Sequence, residues 1–344
     1  MLIKRFVFIC TLLSCTLFWG AYLFQFSSIW ISDQLASTVL WWERSPERFS
    51  EVIEQSIEQG RIDEAHQLIE LNREAGYPHD REWDEAIGER SSLSVRIIKG
   101  AKDGVHGALT GDVSNSAELG GAVASDLTLF GDVRDLAIEG TRYATGNEPD
   151  LLIVGLATTG LLTTALPAAD VGVSIAKAAI RRGHGMSAFR SFISNEADKF
   201  IDWAALNQLF RKADFSIVGF KNFHAEAKRH VNTQRVSHVF KDIGGIHEQT
   251  GSAAQTLTLI KYVDDKESLT AAKHLSQRYG ERSSSLVRLT NGRLINAFLQ
   301  GIQQAIWLFF SLLMTLITVL QTSFKFLITP RKWMAASRVS ETRT

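Results

Sequence analysis

Cysteine is nearly missing from this chain. Cys10 and Cys15 are the only two, and both fall inside the first apolar run, so the region beyond residue 32 can hold neither a disulfide nor a cysteine-ligated metal. An excess of one charge is missing too. Lys and Arg number 37 and so do Asp and Glu, which removes the global field that draws in nucleic acid, and no nucleic acid partner is expected. Catalytic signatures are also absent. There is no phosphate loop, GxSxG elbow, dinucleotide fingerprint or HExxH. The closest histidines, His224, His230, His238 and His247, never stand three or four residues apart, the spacing that puts two ligands on one helix face. His247 and Glu248 begin a zinc motif whose second histidine does not follow. Carboxylates such as Asp132 and Asp135 form pairs of a kind common on solvated faces. The sequence therefore marks no catalytic, cofactor-binding or metal residue and no cofactor, and it leans away from an enzyme. A membrane-bound enzyme would need a pocket that gathers His224, His230 or His247 with Asp132 or Asp135.

Charge is scarce where apolar residues gather, at the two ends. From Phe6 to Ser32 there are 27 residues without a charged side chain, against about 20 needed to cross a bilayer core. Lys4 and Arg5 precede the run, and its length and aromatic far end favour a retained signal anchor over a cleaved leader. Leu12, Leu13, Ser14 and Cys15 resemble a lipoprotein processing box, although Leu13 is larger than the usual residue there and Thr16 to Phe24 stays apolar. The second run, Leu294 to Phe324, has 31 uncharged residues and stops at Lys325, Pro330, Arg331 and Lys332, with Trp333 at an interfacial position. A third stretch, Leu151 to Ala169, has 19 uncharged residues, but four threonines, Gly155, Gly160 and Pro167 make it less apolar. A buried hairpin or a membrane-surface element suits it better than a span. Two spans put both termini on one side, uniting Lys4 and Arg5 with Lys325, Arg331 and Lys332, so the ends are expected in the cytoplasm and the middle in the periplasm.

Between the ends the pattern is helical. Ser45 caps a helix that Pro46 begins, and Val52, Ile53 and Ile57 share its apolar face. After Gly60, a second face of Ile62, Ala65, Leu68 and Ile69 runs to Gly76 and Pro78. This hairpin resembles one tetratricopeptide repeat, with Gly60, Ala65 and Pro78 at places where that family keeps glycine, alanine and proline. The resemblance implies protein or peptide binding, though stacked repeats need about three copies to bury a core. Gly100, Gly104, Gly107 and Gly111 then recur at spacings of four and three. From Asp126 the order is an apolar run, Gly131-Asp132 with Asp135-Leu136, the pair Thr145-Gly146, and an apolar helix. That order is similar to the pre-toxin segments of bacterial polymorphic toxins and to uncharacterised proteobacterial membrane proteins, which implies a toxin or secretion context. Read from the residues alone, Asp132 and Asp135 cap or flank a helix N-terminus with Arg134 as local counter-charge. The stretch Lys221 to Lys241 mixes cations with aromatics, either as a solvated amphipathic helix or as a surface for anionic lipid or a partner. Asp264 or Asp265 caps a helix that Gly280 ends.

The chain thus divides into a transmembrane signal anchor (1–32), a helical hairpin region (33–92), a glycine-rich segment with an apolar hairpin (93–182), a helical domain (183–293), a transmembrane helix with its lead-in (294–329) and a basic tail (330–344). The expected fold is mainly α, an integral membrane protein with one transmembrane helix at each end of an α-rich central domain. The expected partners are the lipid bilayer and another protein, in an interaction or scaffold role at the bacterial inner membrane, and no feature sets the oligomeric state.

Overall fold

A computed structural model describes residues 30–91, 129–163, 166–183, 185–213 and 217–328. Among these residues the secondary structure is helical, and an isolated antiparallel bridge between Ile201 and Val231 stands in place of any sheet. They divide into two units, residues 30–35 with 300–328, and Ala36–Leu299. All but the last three residues of the N-terminal apolar run lie outside the described residues, as do the recurring glycines 100 to 111 and the basic tail.

Helix α1 (30–43) belongs to the larger unit from Ala36 onward, and α2 (Pro46–Glu58) follows it there. The Ser45 hydroxyl accepts the Arg48 amide at 3.2 Å, and Pro46 takes the first helical position, where a missing N–H costs nothing. Phe49, Val52, Ile53 and Ile57 bury one face of α2 against α3 (Ile62–Glu74), which offers Ala65, Leu68 and Ile69. Helix α4 (Arg81–Ser91) packs on α2.

The centre of this unit is built from α5 (Leu129–Ala144), α6 (Leu151–Thr163), α7 (Pro167–Arg182) and α11 (Thr233–Thr250). Helix α6 is apolar around its whole circumference, so it has no face to give to water and is enclosed on all sides. Its buried hydroxyls of Thr158, Thr159 and Thr163 donate back to the carbonyls of Val154, Gly155 and Thr159 at 2.7, 2.8 and 3.0 Å, so no polar atom of theirs goes unmatched. Thirteen residues reach only about 20 Å, short of the roughly 30 Å of a bilayer core.

Helices α7 and α11 touch backbone to backbone. A Cβ on Gly172 would sit 2.6 Å from the carbonyl carbon of Phe240, and one on Gly244 would sit 2.9 Å from that of Ala168. A glycine on each partner makes this approach possible, because any side chain would hold the axes apart.

Around this centre lie α8 (Ser187–Ala197), α9 (Trp203–Lys212), α10 (Ile217–Ala227), α12 (Ala253–Ile260), α13 (Lys266–Tyr279) and α14 (Ser283–Leu289). Asp265 caps α13 in a reciprocal capping box with Ser268, and Gly280, at φ 56°, ends it. The basic stretch Lys221 to Lys241 is not one helix. It breaks at 228–232 between α10 and α11, where Val231 pairs with Ile201.

The last helix, α15 (Arg293–Ile328), leaves the larger unit at Leu299. Arg293 to Thr318 is long and apolar enough to cross a membrane, with a mean hydropathy of 1.5, and it is the only helix of that kind among the described residues. In the smaller unit, Gly301 meets residue 32 closely, since a Cβ there would be 2.7 Å from Ser32 Cα. Beyond that contact the apolar side chains are open, with Trp307 77% and Met314 61% exposed.

Candidate functional site

A cleft of about 460 Å³ opens in the larger unit where α2, the turn before α3, the end of α7, the end of α12 and α14 converge. Each element delivers a cation: Arg48, Arg61, Arg182, Lys261 and Arg288. Asp and Glu are absent from its lining. Neutral donors and acceptors come from Gln55, Gln59, Thr258, Tyr262 and Asn291, and apolar surface from Val52, Met186 and Leu257.

Several of these cations also fasten the walls together. Arg48 donates through Nε to the Leu289 carbonyl at 2.9 Å and through Nη1 to Glu51 at 2.7 Å, tying α2 to the end of α14. Arg288 pairs with Glu64 and reaches Thr258 at 3.4 Å. Glu64 Oε2 lies 3.0 Å from Arg61 Nε but off the N–H axis, so the buried Nε and Nη2 of Arg61 find no hydrogen-bond acceptor among the described residues. Arg182 makes no ion pair or hydrogen bond with a described residue, and Lys261 has only the Tyr262 ring, 5.6 Å away.

The electrostatic consequences follow from burial first and like charge second. Burial, with Arg288 and Arg182 nearby and only Glu64 opposing, pulls Arg61 down to about 10. Arg182 is lowered by burial and then by Arg288. Burial raises the Tyr262 phenol, against the pull of Arg288 and Arg48. Beside the phenol the chain turns through two left-handed residues, Asn291 at φ 47° and Gly292 at φ 82°. Asn tolerates this region better than most side chains, and Gly292 must lack one because the Tyr262 ring fills the space where a Cβ would stand. The turn holds Asn291 Oδ1 within 3.4 Å of the Tyr262 hydroxyl at the cleft wall. Chemically, this arrangement can hold an anion.

A second charged cluster is sealed in the core. Lys177, fully buried on α7, donates to Asp132 at 2.6 Å and to Asp135 at 3.0 Å, both on α5. Arg134 reaches Asp135 at 2.9 Å, and Arg181 pairs with it as well. Opposite, Gly160 of α6 lies against Asp132, whose Cγ is 2.7 Å from where a Cβ would be. Burial opposes ionisation of Asp135, but Lys177, Arg181 and Arg134 together outweigh it and hold its carboxyl below the usual range. A depressed folded-state value means stability that is complete above the unfolded value of about 3.9 and is lost as the pH falls through the folded one. Urea unfolding of the full chain in neutral detergent is therefore expected to show a fall in midpoint below about pH 4, added to a shallower loss that begins near pH 6.5, where His224, His247 and His274, all lowered by burial, take up protons more readily in the unfolded chain. A smaller acid slope in Asp135→Asn would trace part of that fall to this group.

The sequence placed Asp132 and Asp135 near a helix start with Arg134 as their neighbour, and Asp132 does lie in the first turn of α5. Their long-range partners Lys177 and Arg181 went unseen, although a lone lysine in the apolar stretch Val171 to Ile180 was a usable sign of a buried pair. The histidines do not join these carboxylates. The His247 ring lies 3.2 Å from the Thr256 hydroxyl, and no three His, Cys, Asp or Glu among the described residues are placed to share a metal ion. The cleft cations are dispersed over 240 residues with no spacing pattern, so no local motif could announce them. Comparison with family models, curated proteins and solved structures gives no match.

Proposed function

We propose that this chain is a membrane-anchored interaction or scaffold protein of the bacterial inner membrane, with both ends cytoplasmic and the helical domain periplasmic. One observation carries the reading: α15 continues past Leu299 as an apolar helix whose best spanning window is only 11% buried by the protein itself. Trp307, Leu308, Phe310, Leu312 and Met314 all face outward, an apolar surface that water does not tolerate on this scale and lipid does. The N-terminal apolar run adds a second anchor, and the basic residues outside both runs favour the cytoplasm for the termini. The domain so tethered has a cleft of fixed cations, a design for holding a partner group.

Two measurements test this. After extraction of membranes with alkaline carbonate the chain is expected in the pellet, and its release into the supernatant would rule out anchoring. Phosphatase fusions after Ser91 and after Arg182 are expected to be active, with a fluorescent fusion bright at Thr344. Opposite signals at the two internal sites would break the two-span topology and with it the periplasmic domain.

A further inference from the structure

We infer that the cleft between α2, α7, α12 and α14 is a binding site for a ligand carrying a phosphate group, either a soluble phosphorylated compound or the headgroup of an anionic phospholipid. This goes beyond the anchoring role and does not depend on it.

Five cations line or close the cleft, and the two carboxylates they use, Glu51 and Glu64, stand outside its lining, so three positive charges stay uncompensated. Like charges held together on rigid helices repel, and proteins accept such an arrangement where an anion completes it. Arg182 and Lys261 have no carboxylate partner among the described residues, and Arg61 has two buried N–H groups without acceptors. The unmatched buried donors of Arg61 mark a place for oxygen atoms from outside the chain, and Arg182 and Lys261 stand exposed beside them, open to the same atoms.

Phosphate fits better than carboxylate on two counts. Guanidinium forks pair two N–H groups with two oxygens of one phosphorus, and Arg61 and Arg182 bring such forks here, while Arg288, engaged by Glu64 and Thr258, adds its charge. A carboxylate brings one negative charge, whereas a phosphomonoester brings close to two and a diphosphate more, nearer the surplus of the site. The volume exceeds that of a bare ion. Val52, Met186 and Leu257 back the cleft as buried apolar side chains, and Asn291 and Tyr262 offer polar contact for the hydroxyls of an organic body.

The test uses the full chain in neutral detergent, titrated calorimetrically with inorganic pyrophosphate, with phosphatidic acid in mixed micelles, with citrate as a carboxylate trianion, and with phosphatidylcholine as a zwitterionic control. Binding of pyrophosphate or phosphatidic acid is expected, weakening as salt rises, with citrate at least tenfold weaker and phosphatidylcholine silent. Pyrophosphate alone would assign a soluble ligand, and phosphatidic acid alone a lipid headgroup; both outcomes support the site. The double substitution Arg182→Gln with Lys261→Gln is expected to weaken binding at least tenfold. Its unliganded melting temperature should be unchanged or higher, because it removes repulsion and no ion pair. Absence of binding to both phosphates, citrate binding as tight as theirs, or affinity untouched by the double substitution would each overturn the assignment. A lower melting temperature in the variant would do so too, since it would show these cations to be structural.

Discussion

Replacing Lys177 by Met is expected to destabilise the folded chain by about 3–5 kcal/mol, the cost of removing one partner from a buried ionic cluster. The side chain is fully buried, and its ammonium serves two carboxylates at once, Asp132 at 2.6 Å and Asp135 at 3.0 Å. Methionine fills a similar volume, so the loss is electrostatic and not a cavity. Asp135 keeps Arg134 and Arg181, and Asp132 loses its 2.6 Å contact with the ammonium. Adding Asp132→Asn to Lys177→Met removes a carboxylate that has lost this ammonium, and the double variant should regain part of the loss, with a coupling of roughly 0.5–3 kcal/mol. Urea unfolding followed by tryptophan fluorescence measures all three proteins. A cost below about 1 kcal/mol for Lys177→Met would mean that the cluster is hydrated or loosely packed, against its burial.

Gly244→Ala and Gly245→Ala, adjacent positions on α11, are expected to move stability in opposite directions. At 244 the new methyl would stand 2.9 Å from the Ala168 carbonyl carbon, and closer still to its oxygen, so α7 and α11 must separate. Overpacking of this kind costs about 1–3 kcal/mol and more where backbone must shift, so about 3 kcal/mol is expected here. At 245 nothing lies within 4 Å, and the helix gains the propensity of alanine over glycine, up to about 1 kcal/mol. The same unfolding measurement reads both. Equal effects at the two sites would show that the helices do not meet at Gly244.

The local signals were legible, and the distant ones were not. Ser45 with Pro46, and Asp265 with Gly280, mark helix ends in a few adjacent letters, because capping is settled within one turn. The α-rich character of the middle and the long apolar helix near the C-terminus follow from periodicity and run length, which also act locally. The glycines at 172 and 244 carry no such message. Their role exists only when residues 68 and 76 positions apart in sequence meet, Gly172 with Phe240 and Gly244 with Ala168, and nothing near either one distinguishes it from Gly245. The cleft is less legible still. In sequence Arg48, Arg61, Arg182 and Arg288 stand far apart and share no motif. Their convergence depends on the docking of α14 onto the first hairpin, which no spacing encodes.

That docking also sets a timetable for the newborn chain. The hydrogen bond from Arg48 to the Leu289 carbonyl joins residues 241 positions apart, and Arg288 with Glu64 closes the same seam. At synthesis rates of about 5–20 residues per second, the first hairpin waits roughly 10–50 s for its partner to be made. During that interval the surface that later meets α14 is bare, and Arg61, Glu64 and Arg48 are open to whatever else passes. The domain is therefore a fold that shuts last at its oldest end, and the delay ends only as the apolar C-terminal helix is itself leaving the ribosome.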